Sequence, residues 1–322
     1  MHVAFALLIL AFSAPGTDCA EPLGELRNLR EFGRWSWRRL RGGGNTEKAI
    51  VEYHAGPPVA SLQPPGQCVF DAQWSMAPLT KREWIAHDVL LLTFGLKDPQ
   101  KPLGLSTCAC LLARGPAPAA GGDAVVRPYT PVSTNAMVGA FQLMVKVYPE
   151  GAMSQHLSRL PMGASVEFKH IPFNVKVQYP FGARKIVMLV GGTGITPMLQ
   201  ALQALLGTST DRSKATLLYS SKSQADILAR GTLDAWEATH PRRLHVHHTL
   251  TREPEGSGWT GRRGRIDAAM LRAHLPPPSD DVLIFVCGPP AMYDLLSGPR
   301  TDKALTGLLA EMGYSARHVV KF

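Results

Sequence analysis

Three side chains of unlike chemistry are concentrated in the segment RPYTP, which follows two β-branched valines typical of a strand. Arg127 carries a planar guanidinium that can bind phosphate oxygens through two hydrogen bonds. Tyr129 offers an aromatic face to a flat ring, and Thr130 offers a hydroxyl. Pro128 and Pro131 remove two backbone donors, which strands tolerate at edges and bulges. The segment alone fits an ordinary edge strand and a site for a flat, phosphorylated cofactor, such as a flavin nucleotide, equally well.

A glycine-rich loop, VGGTGITPM, lies between an apolar run and a segment with helical spacing. Gly191, Gly192 and Gly194 allow the backbone to approach a phosphate-bearing ligand closely. The N-terminus of the following helix offers free N–H groups and a positive potential to the same phosphate. The spacing differs from G-x-G-x-x-G, so a tight strand-to-helix turn without a ligand is a second interpretation.

A third segment, IFVCGPPAM, begins as a strand and ends in a loop with two prolines. Gly288 has no side chain to obstruct a flat ring, while Pro289 and Pro290 restrict the loop. Cys287 is a reactive thiol, a small polarisable wall beside a cofactor, or an inert buried residue. In open α/β sheets, ligands bind at the carboxyl ends of the strands, where this loop would lie.

The first segment belongs to a region of short strands. Between Cys68 and Tyr179, apolar runs are separated by Gly and Pro, which is typical of an antiparallel β-barrel. We expect strands over residues 84–93, 106–112, 124–129, 140–147 and 165–169, and one helix over 151–160. In AFQLMVKVY the alternation places Phe141, Leu143, Val145 and Val147 on one face and Gln142, Met144, Lys146 and Tyr148 on the other. Lys146 and Tyr148 can therefore join the site of RPYTP from the same face of their strand.

The other two segments belong to a region where strands alternate with helices. We expect strands over residues 185–190, 215–221, 243–250 and 282–287, and helices over 197–206 and 225–239. Continuous apolar runs such as KIVMLV are typical of parallel strands buried on both faces. The order predicts a doubly wound, Rossmann-like α/β domain.

The length of the chain and a Pro- and Gly-rich segment divide the sequence into three predicted parts. Its 322 residues suffice for two domains, and AGPPVASLQPPGQ is a Pro- and Gly-rich linker. We predict an N-terminal segment over residues 1–66, a barrel domain over 67–180 and an α/β domain over 181–322.

The N-terminal segment has an apolar stretch, Val3–Phe12, which is shorter than the ~20 residues of a spanning helix. The basic, Trp-bearing stretch ELRNLREFGRWSWRRLRGGG follows it. Such a stretch lies on a membrane surface or serves as a mitochondrial presequence. We therefore expect membrane association, with the mitochondrion favoured over the endoplasmic reticulum. An extension without a role, or an incorrect gene start, is the alternative.

The net charge of +9 and the cysteines narrow the classes of partner and cofactor. The positive excess is spread along the folded part, where it serves solubility alone or suits an anionic cofactor, an anionic membrane or an acidic protein. We expect no nucleic acid, because no basic block alternates with aromatic residues. The five cysteines are odd in number and irregular in spacing, so they predict neither a disulfide framework nor a metal site. A monomer in a reducing compartment is the expected form.

The motifs also occur in a recognisable order: RPYTPVS, VKVY, GAMSQHL, GGTGITP and CGPPAM, with Phe322 after them. In this order, from about Val69 to Phe322, the chain resembles the NADH–cytochrome b5 reductase family within the ferredoxin–NADP reductase superfamily. The stretches FDAQW and LGLSTCACLLARGP are most similar to mitochondrial-type members. The resemblance implies an FAD-binding antiparallel β-barrel followed by an NAD-binding α/β domain.

By this resemblance the barrel side holds FAD. Arg127 matches the residue that holds the FAD phosphate, Tyr129 the contact with the isoalloxazine and ribityl groups, and Thr130 the neighbour of flavin N5. Lys146 matches a residue that also faces the nicotinamide. The other matched positions on this side are Pro128, Val145, Val147, Tyr148, Gly151, Ala152, Met153 and Ser154.

The resemblance places NADH on the α/β domain. Asp226 matches an acidic position associated with preference for NADH, because a carboxylate there repels the 2′-phosphate of NADPH. Thr130, Lys146 and Cys287 are the predicted catalytic residues. The predicted pyrophosphate loop consists of Gly191, Gly192, Thr193, Gly194, Thr196 and Pro197. The predicted wall beside the nicotinamide consists of Cys287, Gly288, Pro289, Pro290 and Met292.

Three positions depart from the family pattern. Ala152 stands where lysine is common, Ala164 replaces the usual Asp, and Lys169 with His170 replaces a common Gly-Pro. These changes lie in the FAD domain and concern cofactor affinity and partner identity more than the chemistry.

The implied reaction is hydride transfer from NADH to FAD, followed by single-electron transfer to cytochrome b5 or a similar acidic haem protein. One alternative is an NAD(P)H reductase of the same superfamily that delivers electrons to ferredoxin or a quinone. Another is a membrane-tethered scaffold that has lost catalysis. Bound flavin that bleaches with NADH distinguishes both reductases from the scaffold.

Overall fold

The computed structural model describes residues 49–117, 121–170 and 175–322. The predictions for residues 1–48, including the apolar and basic stretches, lie outside the described residues. Among the described helices, none has the length and apolar character needed to cross a membrane. The boundaries at residues 66 and 180 stay predictions.

The first half of the described chain is a barrel-like antiparallel sheet. Its strands pair in the order β4-β3-β6-β1-β2-β5, and one helix, α1 (Ala152–Arg159), follows β5. Inward-facing aromatic rings fill the interior, where the ring centroids of Phe94 and Phe168 lie 5.0 Å apart. The strands are β1 (Ser75–Ala86), β2 (Val89–Gly95), β3 (Leu111–Gly115), β4 (Val125–Tyr129), β5 (Ala140–Lys146) and β6 (Ser165–Lys169).

The second half is a parallel sheet covered by helices on both faces. Its strands pair in the order β10-β9-β8-β7-β11-β12. Helices α2 and α3 pack on one face of the sheet, and α4, α5 and α6 pack on the other. The strands are β7 (Lys185–Gly191), β8 (Lys214–Ser221), β9 (Leu244–Leu250), β10 (Arg262–Arg263), β11 (Val282–Cys287) and β12 (Val319–Lys321). The helices are α2 (Ile195–Gly207), α3 (Arg230–Thr239), α4 (Ala268–His274), α5 (Pro290–Leu296) and α6 (Gly307–Glu311). The predicted barrel and α/β fold classes are therefore confirmed.

Several predicted elements have different bounds. The predicted strand 84–93 is interrupted by a turn at His87 and Asp88. The prediction joined two strands into one because the apolar pattern continues across this tight turn. In the predicted strand 106–112, residues before Leu111 form a turn in which Cys108 has φ +63°. The predicted helix 225–239 is also divided, because Ala229 has φ +57° and α3 begins only after it.

The two halves share one hydrophobic core around α2. Twelve successive α2 residues, 195–206, are buried, because the helix lies between the parallel sheet and the barrel. Val89, Val132 and Met144 of the barrel half belong to the same buried cluster as Met198 and Leu199 of α2. The relative position of the two halves is thus set by packing as well as by the connecting chain.

Residues 49–62, named the strap here, run across both halves. Val51 donates a backbone hydrogen bond to Trp84 in β1 (2.8 Å). On the α/β half, the Trp236 indole in α3 donates to Gly56 O (2.7 Å), and Val59 N donates to Gln203 Oε1 in α2 (2.7 Å). Much of the predicted linker is therefore fixed to the folded domains.

Candidate functional site

A cleft of about 1320 Å³ lies between the barrel and the parallel sheet. Its barrel side is formed by the ends of β4 and β5 and the start of α1, and its sheet side by the loops after β7, β8 and β11. Pockets for one drug-sized ligand measure ~300–1,000 Å³. The cleft therefore has room for more than one such ligand.

Nearly all the predicted contact residues line this cleft. Those from the barrel half are Arg127, Pro128, Tyr129, Thr130, Lys146, Tyr148, Gly151, Ala152, Met153 and Ser154. Those from the α/β half are Gly191, Gly192, Thr193, Gly194, Thr196, Pro197, Asp226, Cys287, Gly288, Pro289, Pro290 and Met292. The fold thus brings together segments that are far apart in the sequence.

The side chains of Val145 and Val147 do not line the cleft, so the predicted part of these two residues in FAD binding is left to their backbone and stays a prediction. Val145 is buried in the barrel core, and Val147 packs against that core. Successive side chains of a strand point to opposite faces. Met144, Lys146 and Tyr148 therefore face the cleft, as the alternation in AFQLMVKVY predicted, and the valines face away.

The RPYTP segment forms an edge of the barrel sheet. Strand β4 is the terminal strand in the pairing order and, among the described strands, bonds only to β3, so the prolines interrupt no second ladder there. Arg127 is exposed, and its guanidinium donates to Val126 O (2.8 Å) but contacts no carboxylate among the described residues. Burial raises the pKa of Tyr129 to about 12, so its phenol is neutral at physiological pH. The cation and the neutral ring suit a phosphorylated aromatic ligand.

The start of α1 is a second anion-binding feature on the barrel side. Ser154 Oγ accepts a hydrogen bond from Tyr148 N (3.0 Å) and donates to Gly151 O (3.0 Å), which fixes the turn before the helix. A Cβ at Gly151 would lie 2.5 Å from Ser154 Oγ, so only glycine fits this turn without a shift. The first turn carries no acidic residue, and its free N–H groups favour a phosphate.

The sheet side is built from two adjacent loops at the point where the strand order reverses. A Cβ at Gly194 would lie 2.1 Å from Cys287 O, and one at Gly191 would lie 2.8 Å from Pro289 Cδ. Gly192 has φ +54° with open space beside it. The glycines thus let the two loops pack closely while one stays open to a ligand. With no acidic residue in the first turn of α2, this loop also fits a phosphate.

Lys146 is held by carboxylates from both halves, an arrangement that sequence reasoning did not identify. Its ammonium lies 2.6 Å from Asp88 Oδ2 and 3.6 Å from Asp226 Oδ1. His87 Nε2 lies 3.9 Å from Asp226 Oδ1, and Ser223 Oγ donates to Asp226 Oδ2 (2.6 Å). Burial alone would raise the pKa of Asp226, but Ser223, Lys146 and His87 together lower it below its usual value. Asp226 is therefore ionised beside the cleft.

Cys287 is a protonated thiol at neutral pH. Burial raises its pKa to about 11, against a smaller opposing effect of Tyr293. A thiolate is the nucleophilic form of cysteine, so the chemistry of the site does not depend on Cys287 as a nucleophile. Its neutral side chain forms a small wall of the cleft.

The two sides of the cleft fit two dinucleotides. Each side offers a helix N-terminus without acidic residues, and the barrel side adds the Arg127 guanidinium. Between these cradles the wall includes Met144, Cys287 and Phe322, which suit flat, largely apolar rings. FAD fits the barrel side and NADH fits the sheet side.

Family models cover both halves of the chain. Residues 76–172 match the oxidoreductase FAD-binding domain, and residues 188–297 match the oxidoreductase NAD-binding domain. These two assignments agree with the cofactors that the cleft fits.

Similarity to individual proteins identifies the family more specifically than the domain models do. The chain is 39% identical over 258 residues to NADH-cytochrome b5 reductase 2 of Aspergillus clavatus, covering 77% of each chain. It is 36% identical over 285 residues to the protein of that name from Emericella nidulans, covering 85% of this chain and 86% of that protein. In structure it is similar to the cytochrome b5 reductase domain of Ulva prolifera nitrate reductase, with a TM-score of 0.68, 30% identity, 83% of this chain and 100% of that chain covered. The chain therefore belongs to the NADH–cytochrome b5 reductase family, and it is an FAD-dependent oxidoreductase that uses NADH.

Proposed function

We propose that the electron acceptor is cytochrome b5 or a similar acidic haem protein. When bound, FAD accepts a hydride from NADH and passes electrons on singly. The observation that supports an acidic acceptor is the charge of the cleft wall. Besides Arg127, five exposed cations line the cleft, and none of them pairs with a carboxylate among the described residues. They are Lys176, Lys222, Arg252, Arg265 and Arg300.

Lys176 and Arg300 are the cations best placed to meet an acceptor. Both act electrostatically on the thiol of Cys110, and Arg300 also acts on Cys287. They therefore border the part of the cleft where the rings of the cofactors are expected. Cations at such a rim raise the association rate with an acidic protein, and salt screens the effect.

Steady-state reduction of cytochrome b5 tests this proposal. The double variant Lys176→Ala/Arg300→Ala should lose roughly 10-fold in kcat/KM for cytochrome b5 at low ionic strength, with the difference closing at high salt. Turnover with a neutral quinone should stay unchanged. Lys97→Ala, an exposed cation away from the cleft, is the matched control. If the wild-type enzyme reduces a ferredoxin or a quinone more efficiently than cytochrome b5, the proposed acceptor is wrong.

We also propose that Asp226 selects NADH over NADPH. Its ionised carboxylate lies in the cleft wall, where it would repel a 2′-phosphate. The variant Asp226→Ala should reduce the ratio of kcat/KM for NADH to that for NADPH. Asp88→Asn, which alters the other carboxylate beside Lys146, should leave this ratio unchanged. A ratio near one in the wild-type enzyme would contradict the proposal.

We propose membrane association at the mitochondrion through residues 1–66. The support is the apolar stretch Val3–Phe12 and the basic, Trp-bearing stretch after it. Fractionation of cells that express the full chain, compared with a chain lacking residues 1–48, tests this proposal. Equal recovery of both chains in the soluble fraction would contradict it.

A further inference from the structure

We propose that Gln200 is a positioning residue, which holds the flavin-facing segment of the barrel at a fixed distance from the NADH-binding loop. Gln200 lies in α2 and is 7% exposed. Its Nε2 donates to Pro131 O (2.7 Å), and its Oε1 accepts from Cys108 N (2.7 Å). The N–H and the oxygen of one buried amide thus form hydrogen bonds with two separate segments of the barrel half.

Residues close in sequence to Pro131 and Gln200 are among those predicted to face the two cofactors. Pro131 directly follows Thr130, and Gln200 lies one helical turn after Thr196 and Pro197 in the same helix. All three of Thr130, Thr196 and Pro197 line the cleft. Because a helix is stiff along its axis, the amide couples the position of Thr130 to that of the helix N-terminus.

The Cys108 turn depends on the same helix. Cys108 has φ +63°, a conformation that a residue other than glycine keeps only where its surroundings hold it. Besides its N–H, its thiol donates to Pro197 O (3.2 Å). Cys108 also lines the cleft. Loss of the Gln200 amide would therefore release the turn and leave Pro131 O buried without a partner.

Helix α2 supplies a matched control for this role. Gln203, almost one turn later, is 6% exposed, and its Oε1 accepts from Val59 N in the strap (2.7 Å). Replacing Gln203 removes a buried amide of the same size from the same helix. It leaves the bonds to Pro131 and Cys108 intact.

The test compares Gln200→Met with Gln203→Met in the holoenzyme. We expect Gln200→Met to lower the limiting rate of flavin reduction by NADH by about 10- to 100-fold, because displacements near 1 Å have effects of this size. The Kd for NADH should change by less than about threefold, since the pyrophosphate loop is untouched. Hydrogen exchange should increase in peptides covering residues 106–110 and 130–132. Gln203→Met should leave the reduction rate within about twofold and increase exchange in the strap.

Gln200→Glu adds a pH profile that a merely structural role would not produce. Its carboxylate keeps an acceptor for Cys108 N but loses the donor to Pro131 O, and protonation restores that donor. The reduction rate of this variant should therefore recover relative to the wild-type enzyme as the pH falls. The proposal is overturned if Gln200→Met keeps the wild-type rate, or if Gln203→Met slows reduction equally. Increased exchange at 130–132 with an unchanged rate would show that the flavin does not lie beside Thr130.

Discussion

Gly194→Ala is the sharpest test of the NADH-binding loop, because its effect can be worked out from one distance. The new Cβ would lie 2.1 Å from Cys287 O, and ordinary contact begins near 3.4 Å, so the loops must separate by about 1.3 Å. Gly194 has φ −59°, so no backbone strain is added. A displacement near 1 Å can reduce the rate by about 100-fold. We expect a loss of this order in stopped-flow flavin reduction by NADH.

Arg127 and the start of α1, which are the predicted FAD phosphate contacts, lie outside the two loops that this substitution displaces. FAD content after purification should therefore stay at the wild-type level, and overpacking should lower stability by only ~1–3 kcal/mol, which a typical domain survives. Gly95→Ala is the matched control, since its Cβ would meet a movable Thr80 methyl at 3.1 Å in a strand whose residues do not line the cleft. If NADH reduces the flavin of the Gly194→Ala variant at a rate within about threefold of the wild-type rate, the loop does not position the nicotinamide.

Three further predictions concern the cofactors and pH. Arg127→Ala should purify with less FAD, measured by the ratio of flavin to protein absorbance, and full flavin content would remove Arg127 from the phosphate site. Cys287→Ala should slow flavin reduction while FAD stays bound, and an unchanged stopped-flow rate would place Cys287 away from the nicotinamide. Burial lowers the pKa of His248 from 6.5 to about 4, so the unfolded chain binds the extra proton and stability should fall by about 2–3 kcal/mol between pH 6.5 and 4. His248→Phe should remove this part of the pH dependence of the thermal midpoint, and an identical slope in the variant would refute it.

Local patterns in the sequence were sufficient to predict which face of a strand each side chain lies on and which residues line most of the cleft. In β5, alternation alone predicts that Lys146 and Tyr148 face the cleft and that the side chains of Val145 and Val147 lie on the other face, and the structure shows both. The motif loops also fall at strand ends, where the fold class requires them. These features depend on residues within a few positions of each other.

Long-range polar contacts could not be derived in the same way. Lys146 meets Asp88 from a turn and Asp226 from the other half of the chain, and nothing in the spacing of these residues pairs them. Gln200 lies in a segment that hydrophobic spacing correctly predicts as helix, yet its bonds to Pro131 and Cys108 depend on how the two halves pack. The part of the predicted strand 106–112 that precedes Leu111 is a turn for the same reason, since that packing holds Cys108 at φ +63°.

The strap has a mechanical consequence. The strap is hydrogen-bonded to Trp84 on the barrel and to Thr232 and Trp236 on α3. A pulling force on the N-terminal side is therefore divided between the two halves before it reaches the cleft. These hydrogen bonds would carry tension applied at the N-terminal end of the strap, so the tension would not separate the surfaces that hold the two cofactors.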